Sequence, residues 1–224
     1  MSAYFVTATG TDIGKTFVTA GLVRALRAQG RAAGAVKPIV SGFDMMNPAG
    51  SDPAVLLAAM GEPVTQEALA GVAPWRFAAP LSPDMAAARE GRAIGFDELL
   101  AFCRNAIAAR EGTLFVEGVG GIMVPLDGGH TVLDWAGALG LPLIVVAGSY
   151  LGTLSHTLTA LAVIARAKLT VAALVVNETG DSAVPLAETV ATLRRFSRLP
   201  VISLPRIKDS VAPPDMFAEL AALI

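Results

Sequence analysis

The chain contains a single cysteine, Cys103, and two histidines, His130 and His156. One thiol excludes an intramolecular disulfide and a cysteine-based metal cluster, and in its helical context Cys103 reads as a small buried residue. Neither histidine is read as part of a metal-ligand pattern, so no zinc site is expected. Charge is also scarce: 16% of residues are Asp, Glu, Lys or Arg, with a balance of -2. That leaves no basic footprint for nucleic acid, although a small anionic ligand needs only local positive charge. No G-x-S-x-G element is present, which removes support for hydrolase-triad chemistry. The guanine-reading Asn-Lys-x-Asp element is missing too; the corresponding strand ends "VVNETG", which favours adenine.

The chain also lacks a charged leader ahead of an apolar core, so no signal peptide is expected and the protein reads as cytoplasmic. Mean hydropathy is high, at +0.59, and no charged residue falls between Asp134 and Arg166. On length alone that interval could span a membrane. Gly137, Gly140, Pro142, Gly148 and Gly152 instead divide it into helix, turn, buried strand, loop and helix. With 54% hydrophobic residues, disorder is excluded.

What is present is an alternation of short apolar runs and longer helical patterns. Strands are expected at 3–8, 33–38, 113–118, 141–148, 170–177 and 199–204, and helices at about 14–29, 53–60, 95–110, 131–139, 153–167, 182–197 and 214–223. Near-continuous apolar strands between helices predict a mainly parallel sheet covered on both faces. The expectation is one α/β domain over residues 1–224, a three-layer α/β/α fold. The segment 42–94, rich in Gly, Pro and Ala, is expected to be the least regular part, an excursion over one edge of the active face. Ligands of such sheets bind at the carboxyl ends of the strands, and the unusual polar residues fall there.

"FVTATGTDIGKTF" is a strand, a Gly/Thr-rich turn and a helix start, the layout of a phosphate loop. Gly14 lets the backbone approach a phosphate, Lys15 reaches the terminal phosphates, and Thr16 offers a hydroxyl to Mg²⁺. The strict spacing wants glycine where Thr9 stands. "AVKPIVSG" puts Lys37 at the end of a buried strand, where a lysine is costly unless it faces an anion or a carboxylate. Lys37 and Lys15 could therefore flank one phosphoryl group, the alternative being a snorkelling surface lysine; Ser41 sits in the following turn, where its hydroxyl could bind substrate or serve as a plain turn residue. "LFVEGVGG" ends a strand in Glu117, which fits the acid that helps hold Mg²⁺. The second acid is Asp52, which reads equally as the N-cap of a helix beginning at Pro53. "GSYLGTLSH" offers a helix N-terminus at Gly152–Ser155 that could receive an anion; alternatively Ser155 caps that helix and His156 packs in its first turn.

Taken together, "GTDIGKT", "VKPIVSG", "SD" at 51–52, "APLSPDMAA", "VEGVGG", "GTLSH" and "VVN" resemble the dethiobiotin synthetase family, in order and along essentially the whole chain. The resemblance implies a P-loop fold and a C–N bond-forming cyclo-ligase of biotin synthesis. In that family 7,8-diaminononanoate is carboxylated by CO₂ and closed to dethiobiotin at the expense of ATP. It further implies that Lys15, Lys37, Thr11 and Asp12 act on the reacting groups. Asp12, Ile13, Gly14, Lys15, Thr16 and Phe17 would hold ATP together with Asp52, Glu117, Gly118, Val119, Gly120, Asn177, Pro205, Arg206 and Ile207. Thr16, Asp52 and Glu117 would hold Mg²⁺. Ser41 and Lys37 would meet the diamine. A homodimer is implied, with Gly152, Thr153, Leu154 and Ser155 of a second copy receiving the substrate carboxylate. Against the family's usual pattern this chain has Ala8, Gly10, Asp12, Asp84 and Ser155 in place of Gly, Asp, Glu, His and Asn.

Two other readings share the first loop. A partition-type switch ATPase usually carries an additional early lysine, and none lies between Met1 and Lys15. An amide ligase of the cobyrinic-acid type needs an ammonia source for which the chain has no room. Neither a nucleic acid nor a membrane is expected as a partner.

Overall fold

The computed structural model describes residues 2–180, 182–207 and 215–224. The first strand β1 (Ser2–Ala8) leads into α1 (Lys15–Ala28) and then β2 (Ala33–Val36). A layered excursion follows: β3 (Ile39–Ser41), α2 (Asp52–Met60), α3 (Gln66–Val72), β4 (Trp75–Phe77) and α4 (Pro83–Arg89). Helix α5 (Phe96–Ala109) returns the chain to β5 (Thr113–Glu117), α6 (Val132–Leu139) and β6 (Leu143–Ala147). The remainder is α7 (Thr153–Arg166), β7 (Val171–Asn177), α8 (Leu186–Phe196), β8 (Val201–Leu204) and α9 (Ala218–Ala221).

Six strands form one parallel sheet in the order β2-β5-β1-β6-β7-β8. Successive residues serve opposite faces, the period-2 consequence of the pleat. Val6, Ala8, Ile144 and Val146 pack among the buried side chains of α1 and α2, while Phe5, Leu143, Val145 and Ala147 pack with Leu99, Cys103 and Trp135 on the other face. All six expected strands are present, and the sheet is buried on both sides as continuous apolar runs require. Among the described residues no helix is long and apolar enough to cross a membrane.

The segment 42–94 is more regular than expected. It contains α3 and α4 as well as α2, and β4 pairs in parallel with β3 as a separate two-stranded sheet. Three-residue strands have no periodicity to read and depend on each other for every ladder bond. Helix α8 starts later than the expected 182, because Pro185 stands at its N-cap in an extended conformation, with ψ of 134°. At the C-terminal end, Phe217 packs on α1 at Gly21, where any side chain would occupy the ring's place. Residue 214, the expected start of the last helix, lies outside the described residues.

Candidate active site

Strand β1 ends at Ala8, and the turn is pinned to its neighbours by the Thr9 amide donating to the Val146 carbonyl (3.0 Å) and the Ile122 amide donating to the Ala8 carbonyl (3.0 Å). Gly14 has φ of 94°, a left-handed conformation that side chains rarely adopt, and a Cβ there would collide with the Asn177 amide. Asp12 takes φ of 57°, which Asp tolerates better than most residues. Asn177 at the end of β7 donates its Nδ2 to the Ile13 carbonyl at 3.0 Å. A carbonyl can only accept, so the Asn177 Oδ1 is the end left for another donor. Lys15 folds back over the loop, its Nζ 3.4 Å from the Gly10 carbonyl, and is 6% exposed. Burial first, and the Lys37 charge second, lower its pKa to about 8.

Beside the loop four side chains converge: Thr16 from α1, Lys37 from just beyond β2, Asp52 from the start of α2 and Glu117 from the end of β5. The Lys37 Nζ donates to Asp52 Oδ2 at 2.5 Å, to Glu117 Oε1 at 2.7 Å and to Thr16 Oγ1 at 3.3 Å. Thr16 Oγ1 in turn donates to Glu117 Oε1 at 2.6 Å. Glu117 is fully buried, Lys37 nearly so, and the Asp52 side chain is half exposed, at 48%. Burial alone would lower the Lys37 pKa, but the charges of Glu117 and then Asp52 outweigh it and hold the ammonium above its ordinary value. Asp52 is lowered in return: desolvation opposes its charge, and the Lys37 ammonium overcomes that.

Asp52 is not the N-cap of α2. Ser51 is the cap, its Oγ accepting from the Ala54 amide at 3.4 Å, and the helix begins at Asp52 itself. The cap serine frees the carboxylate one residue later to reach Lys37. The donor set fits Mg²⁺: two carboxylates and a hydroxyl, all oxygen, with the buried Glu117 Oε2 lacking any partner. Among the described residues no group of three or more His, Cys, Asp or Glu is placed to hold a metal. The set therefore suits an ion that completes its shell with phosphate oxygens and water.

The cluster opens into a cleft of about 740 Å³, lined by Thr11, Asp12, Gly14, Lys15, Thr16, Phe17, Lys37, Ser41, Asp52, Val119 and Gly120 among the expected residues. Ser41 ends β3, and its Oγ is buried without a partner, ready for a ligand. Val40, Pro80, Leu81, Ser82, Pro83 and Val124 complete the wall. These were not singled out as site residues, although the run "APLSPDMAA" was itself the signal for four of them.

Several expected residues lie elsewhere. Ile13 meets Asn177 through its carbonyl, and Gly118 packs against Phe5 and Val132. Asn177, Pro205, Arg206 and Ile207 do not line the cleft; the Arg206 amide donates to Glu178 Oε2 at 2.7 Å, which draws that segment to the end of β7. Gly152, Thr153, Leu154 and Ser155 are outside it as well. Gly152, with φ of 98°, is the N-cap of α7, so Ser155 does not cap the helix. His156 packs in the first turn with its Nδ1 2.8 Å from the Tyr150 hydroxyl, and it borders a second groove of about 480 Å³ that shares Thr11 and Val124 with the cleft.

A phosphate loop between β1 and α1, with an acid at the end of a neighbouring parallel strand, defines a P-loop nucleotide-dependent protein. A chain of Acidiphilium cryptum (strain JF-5) named ATP-dependent dethiobiotin synthetase BioD is 50% identical over 196 residues, covering 87% of this chain and 88% of its own. The chain belongs to the ATP-dependent dethiobiotin synthetase family. A relative of the same name from Methylobacterium nodulans is 48% identical over 211 residues, covering 92% of this chain and 94% of its own. The family described as AAA domain matches residues 2–214. Among solved structures, the cell-division ATPase MinD of Pyrococcus furiosus has a TM-score of 0.53 at 14% identity, covering 100% of this chain and 98% of its own. The MinC:MinD complex of Aquifex aeolicus has a TM-score of 0.56 at 11% identity, covering 93% of this chain and 82% of that one. At such identities the likeness is one of fold alone.

Proposed function

We propose that the protein carboxylates 7,8-diaminononanoate with CO₂ and closes the ring to dethiobiotin, converting ATP to ADP and phosphate. The observation that carries this reading is the convergence of Lys15 and Lys37 on one cleft that also presents the unpartnered Ser41 hydroxyl. One substrate amine adds to CO₂ and loses a proton, giving a carbamate. A carbamate oxygen attacks the γ-phosphorus, ADP departs, and a carbamic–phosphoric anhydride results. The second amine attacks its carbonyl carbon, phosphate leaves with the C–O bond electrons, and the amine proton is released. The carbamate is a weak nucleophile, so the protein's contribution is positioning and charge neutralisation.

Lys15 and Lys37 supply positive charge to the γ-phosphoryl and carbamate oxygens, and Thr11 and Asp12 orient the diamine from the loop. Mg²⁺, held by Thr16, Asp52 and Glu117, would supply charge neutralisation to the phosphates. Asn177, with Pro205, Arg206 and Ile207, holds the adenine. Gly152–Ser155 belongs to the site of a second copy in a two-fold dimer, a reading supported by that helix start lying outside its own chain's cleft. A cytoplasmic location accompanies this role.

The test is ADP release with and without the diamine and bicarbonate, with the product identified by mass. Turnover that requires both and yields dethiobiotin supports the reading. ATP turnover indifferent to the diamine rejects it.

A further inference from the structure

The loops that follow β6 and β7 are clasped by a reciprocal pair of hydrogen bonds. The Ser149 amide donates to Thr179 Oγ1 at 3.0 Å, and the Thr179 amide donates back to Ser149 Oγ at 3.0 Å. The Ser149 carbonyl accepts a third bond, from Ser182 Oγ at 2.7 Å. Ser149 is fully buried, so its own amide, carbonyl and hydroxyl depend on these protein partners, while Thr179 and Ser182 are partly buried. Gly148 leaves no room for a side chain, because one would meet the Thr179 hydroxyl and the Tyr150 ring.

Each half of the clasp leads to a different ligand. On the β7 side, Thr179 sits between Glu178, which accepts from the Arg206 amide, and Gly180, whose missing Cβ makes room for the Arg206 guanidinium. That is the segment assigned to the adenine. On the β6 side, Thr153 Oγ1 donates to the Gly148 carbonyl at 2.8 Å and the Thr153 amide to the Tyr150 carbonyl at 3.0 Å. The first residue of α7, assigned to the substrate carboxylate, is thereby fastened to the loop that Thr179 holds. The path Arg206, Glu178, Thr179, Ser149, Gly148, Thr153 is short and bonded at each step beyond the chain itself, and it avoids the Lys37–Asp52–Glu117 cluster.

We propose that Thr179 is a positioning residue that, through Ser149, links nucleotide binding to diamine binding. The link rests on the ligand assignments made under Proposed function. Seating the base orders the 177–180 segment, and the clasp passes that order to the start of α7, so the second ligand meets a helix end already fixed. In a two-fold dimer the same link joins the nucleotide of one protomer to the diamine site that this protomer completes for the other. The coupling is reciprocal, since both ligands bias one equilibrium.

The experiment measures the dissociation constant of diaminononanoate by calorimetry, with and without a saturating non-hydrolysable ATP analogue. The native enzyme is expected to gain about fivefold or more in diamine affinity when the analogue is bound, the usual size of such coupling. Thr179→Val keeps the shape but removes the hydroxyl that accepts from Ser149. It should bring that ratio close to one while kcat at saturation changes by less than about threefold, a KM-against-kcat split that general destabilisation does not produce. Thr179→Ser restores the hydroxyl and should restore the ratio. Should the valine variant fail to fold, Ser149→Ala carries the same reading from the other side of the clasp. A native ratio of one, or a ratio that survives loss of either hydroxyl, overturns the link. Absence of any diamine binding overturns the assigned substrate and the link together, a result separate from binding without coupling.

Discussion

The Lys37 ammonium lies 2.7 Å from Glu117 Oε1, and the two are the most deeply buried ion pair in the described site. Lys37 stands where sequence reasoning expected a catalytic cation and also neutralises the acid expected to hold the metal. A fully buried carboxylate requires such a partner, because an isolated charge at the end of a central strand would be strongly disfavoured. The same lysine also holds Asp52, so an ammonium sits in the midst of the expected Mg²⁺ ligands.

Lys37→Ala should therefore lose stability as well as activity. Removing one partner of a buried pair typically costs about 3–5 kcal/mol, and the half-exposed Asp52 keeps this case nearer the lower figure. Lys37→Ala with Glu117→Gln should regain most of that stability and none of the turnover. Urea melts of the three proteins check it. Equal stability of native protein and Lys37→Ala would show that the pair does not matter to folding, and near-normal kinetics would remove Lys37 from the reaction.

Nucleotide affinity should depend on pH through Lys15. In the free enzyme its pKa is about 8, lowered by burial and by Lys37, and a bound polyphosphate raises it again. Affinity should be level below pH 8 and fall above it by up to about tenfold per unit until the bound-state pKa is reached. Folding follows the opposite sign. Between about 8 and the ordinary value of 10.5 the unfolded chain binds the proton and the folded one releases it, so Lys15 favours folding as pH rises through that window. Nucleotide titrations from pH 6.5 to 9.5 test the first statement; a flat profile counts against it.

The bond from Asn177 Nδ2 to the Ile13 carbonyl gives the base site a polarity. With the nitrogen committed to the loop, the proposed adenine role of Asn177 would have its Oδ1 accept from the exocyclic amine of adenine and oppose the carbonyl of guanine. ATP should bind more tightly than GTP by about tenfold, the value of one mismatched buried polar contact. Asn177→Asp sets a carboxylate against the Ile13 carbonyl and should weaken ATP by a similar factor. Competition binding measures both, and equal affinities for ATP and GTP would refute the assignment.

Cys103 should be unreactive in the native protein. It is fully buried, and burial, opposed by weaker contributions from Trp135 and Arg104, pushes its thiol up to about 12. Aromatic disulfide reagents should titrate no thiol in native buffer and one in denaturant. Rapid native labelling would place Cys103 in a segment that opens readily.

Much of the site was legible because strand ends converge in a parallel sheet. Lys15, Thr16, Lys37 and Glu117 each follow or end an apolar run whose burial is encoded by composition alone, and the topology rule gathers them at one edge. Asp52 was ambiguous, since a carboxylate before Pro53 is an equally good helix cap. Only the position of Ser51 Oγ decided it. Pro80–Pro83 went unassigned because a proline-rich connection has no pattern that states which cleft it borders.

The amino-acid sequence by itself determined the six strands of the main sheet, most of the helices, the phosphate loop and the family. These depend on local periodicity, turn chemistry and ordered motifs. Tertiary structure decided that Lys37 is the counter-ion of Glu117 and Asp52, that Ser51 caps α2, that β3 and β4 form a second sheet, and that Ser149 clasps Thr179. Each of these is a pairing between residues brought together by the order of strands or by a turn's geometry. The free energy of such a pairing belongs to both partners at once, so neither segment read alone contains it.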